Sequence, residues 1–328
     1  MYKKISALLV MAMGMTLLAG CAAKPAAGGE FKPAGQVDWI VTSSAGGGSD
    51  IFTRKITDIM TKDKIVSDVT LLVNNKTDGN GEVGRNEFAN LKGDKANNTL
   101  LTFNSGDLMP MVENTKNRAA NFNIIAVMAV DKQLIFKGKA SKYDTFKDVI
   151  EAAKAGTTVI VGGSKGDDIA TYKALLAEIG IAETVMKYIP YNSTSEAITA
   201  ILGGHVDVVI SKPAASSEYV TSGDLTPILA LSNERYTGAL KDAPTLSEVG
   251  SYKNVEVPVW RGVAAPKEMS AEAVTYYTEA LKKVSDSTAW KTEYIEINKL
   301  LADYKNATDA TKFVTDYEAT FMASKGIK

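Results

Sequence analysis

The sequence predicts an α/β fold, in which the strands of parallel sheets alternate with helices that cover both faces. Short runs of β-favouring residues recur along the chain, segments with a helical hydrophobic period lie between them, and a length of 328 residues corresponds to about two domains. The predicted strands are Val37–Thr42, Val69–Asn74, Thr99–Phe103, Ile124–Val130, Thr157–Val161 and Val206–Ile210. The predicted helices between them include Ser49–Met60, Gly166–Ile179 and Ser193–Leu202.

The ends of the helix over 193–202 are marked in the sequence. Ser193 and Glu196 have the spacing of a capping box, and Gly203 suits the end of the helix. From Ser270 onward the pattern is helical, with breaks near Ser287 and Asn306. We therefore expect a C-terminal helical segment that packs back on an earlier part of the fold.

Composition and charge exclude several classes of function. The 37 basic and 38 acidic side chains give a net charge of −1, whereas a nucleic-acid-binding protein needs a basic face. A single cysteine excludes a disulfide framework and a thiolate metal cluster. The one histidine, His205, leaves little for a zinc site or for histidine-based catalysis. No metal and no cofactor are expected.

The first 20 residues have the pattern of a secretory signal peptide. Lys3 and Lys4 precede an apolar run over 5–18, which is shorter than the ~20 residues that a membrane-spanning helix needs. The run ends in Leu-Ala-Gly-Cys21, which resembles the bacterial lipobox. That resemblance implies that Cys21 is lipidated and anchors the protein outside the cytoplasmic membrane, in the periplasm or on the outer face of that membrane. An ordinary signal peptide with a chance cysteine is the alternative, and residues 22–35 are typical of a flexible tether.

The first glycine-rich loop predicts an anion site. Gly46, Gly47 and Gly48 lie directly between a predicted strand and a predicted helix, where backbone N–H groups and the helix dipole favour negative charge. The Gly-Lys-Ser/Thr sequence of a phosphate-binding P-loop does not follow. The alternative is a plain strand–helix turn capped by Ser49 or Asp50.

Two further glycine motifs suggest enzymatic or nucleotide chemistry. Gly79–Gly84 has the spacing of a dinucleotide fingerprint, but residues 74–78 separate it from the preceding strand, so a turn beside the site is the better interpretation. The segment 162–166 matches the Gly-x-Ser-x-Gly elbow of serine hydrolases, which would need His205 as its base. Since His205 lies in a turn, a hydrolase using Ser164 stays an alternative only, and Asp167 and Asp168 suit the first turn of the next helix.

Three polar segments follow strands or precede helices: 104–107, 191–194 and 211–213. In open α/β sheets, ligands bind beyond the carboxyl ends of the strands, so these segments predict one small polar ligand. No arginine lies inside them. We therefore expect recognition mainly by backbone N–H, hydroxyl and amide groups, with Lys165 or Lys212 as optional contributors.

Together these segments occur in the order expected of one family. They are the lipobox, Ala45–Asp50, the loop from Asn75 to Gly81, Thr99–Leu101, Tyr191–Asp207, Pro244–Gly250 and Trp260–Pro266. From about Gln36 to the C terminus, the chain resembles the substrate-binding proteins of tripartite tricarboxylate transporters, the TctC or Bug family.

The resemblance implies a type II periplasmic-binding-protein fold, with two α/β lobes and a ligand cleft between them. Residues 1–20 would be the signal peptide, 21–35 the lipidated cysteine and tether, 36–134 with 258–328 lobe 1, and 135–257 lobe 2. The implied function is capture of a small carboxylate and its delivery to a membrane permease. The implied protein is a monomer and not an enzyme. A sensor that presents a carboxylate to a receptor kinase would have the same sequence features.

The candidate ligand-binding residues, carried over by position or taken from the polar strand ends, are Ala45, Gly46, Gly47, Gly48, Ser49, Asp50, Asn104, Ser105, Gly163, Ser164, Lys165, Asn192, Asp207 and Ser211. The chain departs from the family pattern at 76–81 and at Asn192 and Ser193, so the ligand's identity does not transfer. We expect capture by lobe closure, with hinges near Gln133–Lys137 and Val257–Trp260.

Overall fold

The computed structural model describes residues 31–327. The predicted signal peptide, Cys21 and residues 22–30 of the predicted tether lie outside this range. Within it, the chain meets the folded body before residue 35, because the Phe31 ring packs against Tyr276 and Tyr277 at centroid distances of 5.7 and 5.9 Å. None of the helices within 31–327 combines the length and apolarity needed to cross a bilayer.

Lobe 1 is defined here by the elements of a six-stranded sheet and the helices on it. Its first part consists of β1 (Gly35–Val41), α1 (Gly48–Lys62), β2 (Val69–Asn75), α2 (Glu82–Ala89), α3 (Gly93–Asn97), β3 (Thr99–Asn104), α4 (Ser105–Asn114) and β4 (Phe122–Asp131). Its second part consists of β10 (Val259–Pro266), α10 (Ala271–Asp286), α11 (Thr288–Trp290), a π-helical turn (Lys291–Glu296), β11 (Leu301–Lys305) and α12 (Ala307–Lys325).

Lobe 2 is built on a five-stranded sheet and lies between the two parts of lobe 1 in sequence. It consists of β5 (Gln133–Gly138), α5 (Phe146–Lys154), β6 (Val159–Ser164), α6 (Asp167–Ile179), β7 (Met186–Tyr191), α7 (Thr194–Leu202), β8 (Val208–Ser211), α8 (Pro213–Ser222), β9 (Leu225–Leu231) and α9 (Leu246–Val249). Short 3₁₀ turns occur at Ala119–Asn121 and Gly238–Leu240. The predicted α/β fold with two lobes is confirmed.

Both sheets are mixed, so the predicted parallel pairing holds for only part of each sheet. The strand orders are β11-β4-β10-β3-β1-β2 and β7-β6-β8-β5-β9. The strands β1, β2 and β3 are parallel, as are β6, β7 and β8, whereas β10, β11 and β5 pair antiparallel with their neighbours. β5 and β10 are antiparallel because each is the first strand after the chain crosses from one lobe to the other. Parallel neighbours need a crossover connection, usually a helix, and no helix lies between these strands and the crossing.

The central strands of both sheets are buried on both faces, because helices cover both. On β1, Val37 and Trp39 pack with α1 and α10, while Ile40 faces the opposite side, toward α4 and α12. Lobe 2 repeats this arrangement with two separate apolar clusters on the two faces of its sheet. Trp39 has no exposed surface, and its indole N–H donates to the Thr102 hydroxyl at 2.9 Å. Such burial contributes ~1.5–3 kcal/mol per large apolar side chain.

The C-terminal segment is helical with one exception. Helix α10 ends at Asp286 and α12 begins at Ala307, close to the breaks predicted near Ser287 and Asn306, with the short α11 and the π-helical turn directly after the first break. Between them lies β11, an edge strand that the sequence did not indicate. The residues of β11 are exposed or half-buried, so they carry no alternating apolar pattern from which a strand could be predicted.

Candidate functional site

A cavity of about 60 Å³ lies between the carboxyl ends of the strands of the two lobes. Residues at the starts of α1, α4, α6 and α7, and the residue before α8, line it. Six predicted site residues are among them: Gly48, Ser49, Asn104, Ser164, Lys165 and Asn192. The strand–loop–helix units of both lobes therefore bring these sequence-distant residues to one place.

The start of α1 lies at this cavity and has no side-chain cap. Gly47 is the N-cap residue, and no side chain caps the helix. The first N–H groups of a helix have no acceptor within it, and Gly48 and Ser49, which occupy the first two positions, both line the cavity. Neither Ser49 nor Asp50 caps the helix, so the cap that the alternative of a plain strand–helix turn assumed is wrong. The arrangement suits a carboxylate oxygen.

Asp50 organises the glycine loop and does not line the cavity. Its carboxylate accepts a hydrogen bond from the Gly46 N–H at 2.9 Å, from Asn75 Nδ2 at 3.1 Å and from Arg54 Nε at 2.9 Å. Burial would raise the pKa of Asp50, but these hydrogen bonds outweigh burial, so its pKa lies below the usual value.

This lowered pKa predicts how acid affects the loop. A depressed carboxylate pKa contributes stability above the unfolded-state pKa of about 3.9, and that contribution is lost as the pH falls through the folded-state value. We expect the melting temperature of the wild type to exceed that of Asp50→Asn at pH 7, and the difference to shrink below about pH 4. Melting curves of both proteins from pH 7 to pH 2 would measure it. A difference that stays constant or widens on acidification would contradict this role of Asp50.

Asn104 ties the start of α1 to the start of α4. Its side-chain oxygen accepts from the Asp107 N–H at 3.2 Å and caps α4, while its Nδ2 donates to Ser49 Oγ at 2.9 Å. Asp107 in turn accepts from the Thr42 hydroxyl at 2.6 Å and pairs with buried Arg85 at 3.1 Å. Ser105 is buried beside this group, and its hydroxyl has no hydrogen-bond partner within residues 31–327.

Lobe 2 contributes Ser164 and a buried ion cluster. The Ser164 N–H and hydroxyl both donate to Asp168 Oδ2, at 2.7 and 2.6 Å. Lys212 Nζ lies 2.6 Å from Asp167 Oδ2 and 2.5 Å from Asp168 Oδ1. Burial would lower the pKa of Lys212, but the two carboxylates raise it, so the ammonium stays charged.

The structure does not bring Ser164 and His205 together. Ser164 ends β6, whereas His205 is exposed in the turn before β8. Because Val161 pairs with Val208 in this parallel register, the two residues are separated by about six strand positions, or roughly 20 Å. The described residues therefore contain no Ser–His pair at this elbow.

Asp207 and Ser211 also lie outside the cavity. Asp207 precedes β8, at the sheet end opposite the cavity, where it accepts from the Ile160 N–H at 2.8 Å and pairs with Lys142 at 3.0 Å. Ser211 is buried behind Lys212, and its hydroxyl contacts the Lys212 carbonyl and Ser216.

The other predicted glycine-loop residues support the cavity from outside. Gly163 lies against Tyr188, whose hydroxyl donates to the Ser164 carbonyl at 2.6 Å. Ala45, Gly46 and Gly47 face α7 of lobe 2: Ser195 Oγ donates to the Ala45 carbonyl at 3.0 Å, and a Cβ on Gly47 would lie 3.0 Å from Ser193 Cβ.

The two lobes touch across the cleft in this structure. Besides the Ser195–Ala45 contact, Ser44 donates to Glu196 and Lys165 donates to Asn80. Ser193 caps α7 as predicted, but the predicted return bond of a capping box is absent, because Glu196 accepts from the Asn192 N–H at 3.1 Å and from Ser44 instead. The arrangement is therefore a closed one.

Sequence reasoning did not identify Arg261 as a site residue. Arg261 lines the cavity from β10, is 2% exposed, and its Nη2 lies 2.5 Å from Asp131 Oδ2. Burial would lower the pKa of Arg261, but the Asp131 carboxylate raises it. The available signal was a single charged residue within the otherwise apolar strand β10. A Cβ on Gly48 would lie 2.7 Å from Arg261 Nη2, so a side chain at this position would require the guanidinium that pairs with Asp131 to move.

Comparison with known proteins agrees with this geometry. A family model described as the tripartite tricarboxylate transporter family receptor, TctC, matches residues 53–323. The periplasmic binding protein BugD is similar in fold, with a TM-score of 0.76 at 20% identity over 91% of this chain and 99% of BugD. MatC from Rhodopseudomonas palustris, solved with bound malate, gives 0.75 at 17% identity over 90% and 98% of the two chains. A second R. palustris protein, solved with adipate, gives 0.72 at 18% identity over 89% and 97%.

The family match covers most of the described chain, and the motif-based resemblance is thereby confirmed. The type II periplasmic-binding-protein fold is confirmed by the structural neighbours. The family and its structural neighbours are extracytoplasmic solute-binding proteins and not enzymes. The chain therefore belongs to the TctC family of tripartite tricarboxylate transporter receptors.

Proposed function

We propose that this protein captures a small carboxylate between its lobes and delivers it to a membrane permease of the tripartite tricarboxylate type. The observation that carries the proposal is the uncapped start of α1, whose first two residues, Gly48 and Ser49, line a cavity between the two lobes. The neighbours solved with malate and with adipate support a carboxylate ligand. Lipidation of Cys21 would keep the protein beside the permease.

Within residues 31–327, two of the three cations that line the cavity are engaged in ion pairs, so neutral donors can carry much of the recognition and Lys165 is the cation left to assist them. Lys212 and Arg261 line it, but each is already paired with buried carboxylates. Lys165 lines it too and donates to Asn80 and Asn192, with no acidic partner within the described residues. Backbone N–H···O⁻ bonds of ~1.5–3 kcal/mol each can supply micromolar affinity once water is excluded.

Closure of the two lobes excludes water from the cavity. A ligand that contacts α1 and Asn104 on lobe 1 together with Ser164 on lobe 2 binds the closed arrangement better than an open one. The contacts between the lobe rims, such as Ser195 to Ala45, form only in the closed arrangement and add to its stability. We propose that residues 36–134 and 258–328 move as one lobe and residues 135–257 as the other, with hinges where the chain crosses between them.

The experiment pairs dicarboxylates with their neutral esters. We expect malate, succinate or adipate to raise the melting temperature of the mature protein and to bind stoichiometrically in calorimetry, with a dissociation constant on the order of 1–100 μM. The dimethyl esters should not bind, because they lack the anionic oxygens. Equal binding of acids and esters, or no binding by a panel of carboxylic acids, would contradict the proposal. Release of free acid from an ester would favour the Ser164 hydrolase instead.

A further inference from the structure

Two buried carboxylates share one ammonium group at the lobe 2 side of the cavity. Asp167 is 3% exposed, Asp168 is fully buried, and both pair with Lys212, which is 4% exposed. The Arg261–Asp131 pair beside them has one charge of each sign. With both carboxylates ionised, the buried cluster of Asp167, Asp168 and Lys212 has one negative charge in excess, and buried charges are stable only when they are paired.

One carboxylate oxygen of this cluster is available to a ligand. Asp167 Oδ2 accepts from Lys212 and from Gln133 Nε2, at 2.6 and 3.3 Å. Asp167 Oδ1 has no hydrogen-bond partner within the part of the chain that the structure describes, and Asp167 lines the cavity. The other carboxylate that lines the cavity, Asp107, has partners on both oxygens: Thr42 and Arg85 on one, and the Asn104 N–H on the other.

This free oxygen lies where lobe 2 contacts α4 of lobe 1, and Asp167 lines the same cavity as Gly48 and Ser49. Asp167 Oδ1 would be 2.2 Å from a Cβ placed on Gly106, and Asn104 Oδ1 would be 3.0 Å from the same point. Asn104 in turn donates to Ser49 at the start of α1. A negatively charged acceptor and the backbone donors of α1 are therefore within reach of one small molecule.

We propose that the ligand is an amino carboxylate, whose ammonium group binds Asp167 Oδ1 while its carboxylate binds at the start of α1. This deepens the proposed function and rests on it. An ammonium supplies both the missing hydrogen bond and the missing positive charge. A hydroxyl supplies only the hydrogen bond, and a C–H group supplies neither, so Asp167 determines specificity at the carbon next to the carboxylate.

Two sets of acids test this, each with one carbon skeleton. Alanine, lactate and propionate differ only in an ammonium, a hydroxyl or a hydrogen at C2, and aspartate, malate and succinate differ in the same way. By calorimetry with the mature wild-type protein, we expect the ammonium compound of at least one set to bind about 10- to 100-fold more tightly than its hydrogen analogue, with the hydroxyl compound between them. Equal binding within both sets, or tightest binding of a hydroxyl or hydrogen compound, would overturn the proposal.

Two variants test whether Asp167 is responsible for the preference for the ammonium compound. Asp167→Asn keeps the size of the side chain and removes its charge, so we expect the preference for the ammonium compound to fall to less than about 3-fold while binding of the hydrogen analogue persists. Asp144→Asn removes the same charge from a side chain that is 93% exposed in lobe 2, and it should retain the preference. Retention of the preference by Asp167→Asn would overturn the proposal. If Asp167→Asn does not fold, the wild-type comparison still decides.

These outcomes distinguish failure of the amino-carboxylate proposal from failure of carboxylate capture itself. Carboxylates that bind irrespective of the C2 group would overturn the amino carboxylate and leave carboxylate capture intact. A protein that binds neither these acids nor the wider panel would overturn both.

Discussion

Replacing Arg261 by methionine is expected to lower the free energy of unfolding by about 3–5 kcal/mol, because it leaves an unpaired buried charge. Asp131 has no exposed surface, and Arg261 is its ion-pair partner at 2.5 Å. The pair joins β4 and β10, the two strands of lobe 1 that meet the crossing to lobe 2. Urea denaturation followed by circular dichroism measures the loss.

Two further variants test whether the unpaired charge is the cause. Asp131→Asn added to Arg261→Met should recover most of the loss, because no buried charge then lacks a partner. Arg235→Met removes an exposed arginine that pairs with Glu248 at 2.9 Å, and it should cost less than about 1 kcal/mol. A loss for Arg261→Met no larger than for Arg235→Met would refute the account of this pair.

Replacing Gly166 by alanine is expected to weaken ligand binding by about 10- to 100-fold. The new Cβ would lie 2.4 Å from the Gly106 carbonyl oxygen and 2.7 Å from Gly106 Cα, both backbone atoms of the opposite lobe. Overlap of this kind costs about 1–3 kcal/mol, and it arises only when the lobes close. Calorimetry measures the affinity, and small-angle X-ray scattering with and without ligand measures whether the protein becomes more compact.

The matched control lies at the other end of the same helix. Gly180 follows α6 with φ +68 and ψ +34, whereas Gly166 has φ +73 and ψ −106, so the two share a positive φ but not the whole backbone conformation. A Cβ on Gly180 would meet nothing within 4 Å. Gly180→Ala therefore also places a side chain at positive φ but leaves the lobe contact unchanged, so it should lose some stability and bind normally. If Gly166→Ala bound ligand and closed as well as Gly180→Ala, the cleft would not close through the Gly106–Gly166 contact.

The sequence predicted most strongly the elements whose pattern is local. The six predicted strands, which correspond to β1, β2, β3, β4, β6 and β8, and helices α1, α6 and α7 appear within about three residues of the predicted bounds, because hydrophobic period and glycine placement are local signals. The direction of β5 and β10 was not predictable in this way, since it depends on where the chain crosses between lobes.

The site was predictable as far as it consists of loops at strand ends. Gly48, Ser49 and Asn104 line the cavity because they lie where a strand is followed by a helix. Gly48 and Ser49 begin α1, and Asn104 caps α4. Arg261 and its partner Asp131 are 130 residues apart, and no local pattern relates them. Asp207 was predicted as a site residue because it belongs to a family motif. It precedes its strand, however, and so lies at the end of the sheet away from the cavity.

The most direct test of carboxylate capture observes the α1 amides themselves. In an ¹H–¹⁵N correlation spectrum of the labelled mature protein, saturation with a tightly binding carboxylate should shift the Gly48 and Ser49 amide resonances downfield and protect them from hydrogen exchange. Gly223, at the far end of α8, should not change. Binding that is seen by calorimetry while the Gly48 and Ser49 amides stay unperturbed would contradict the central claim.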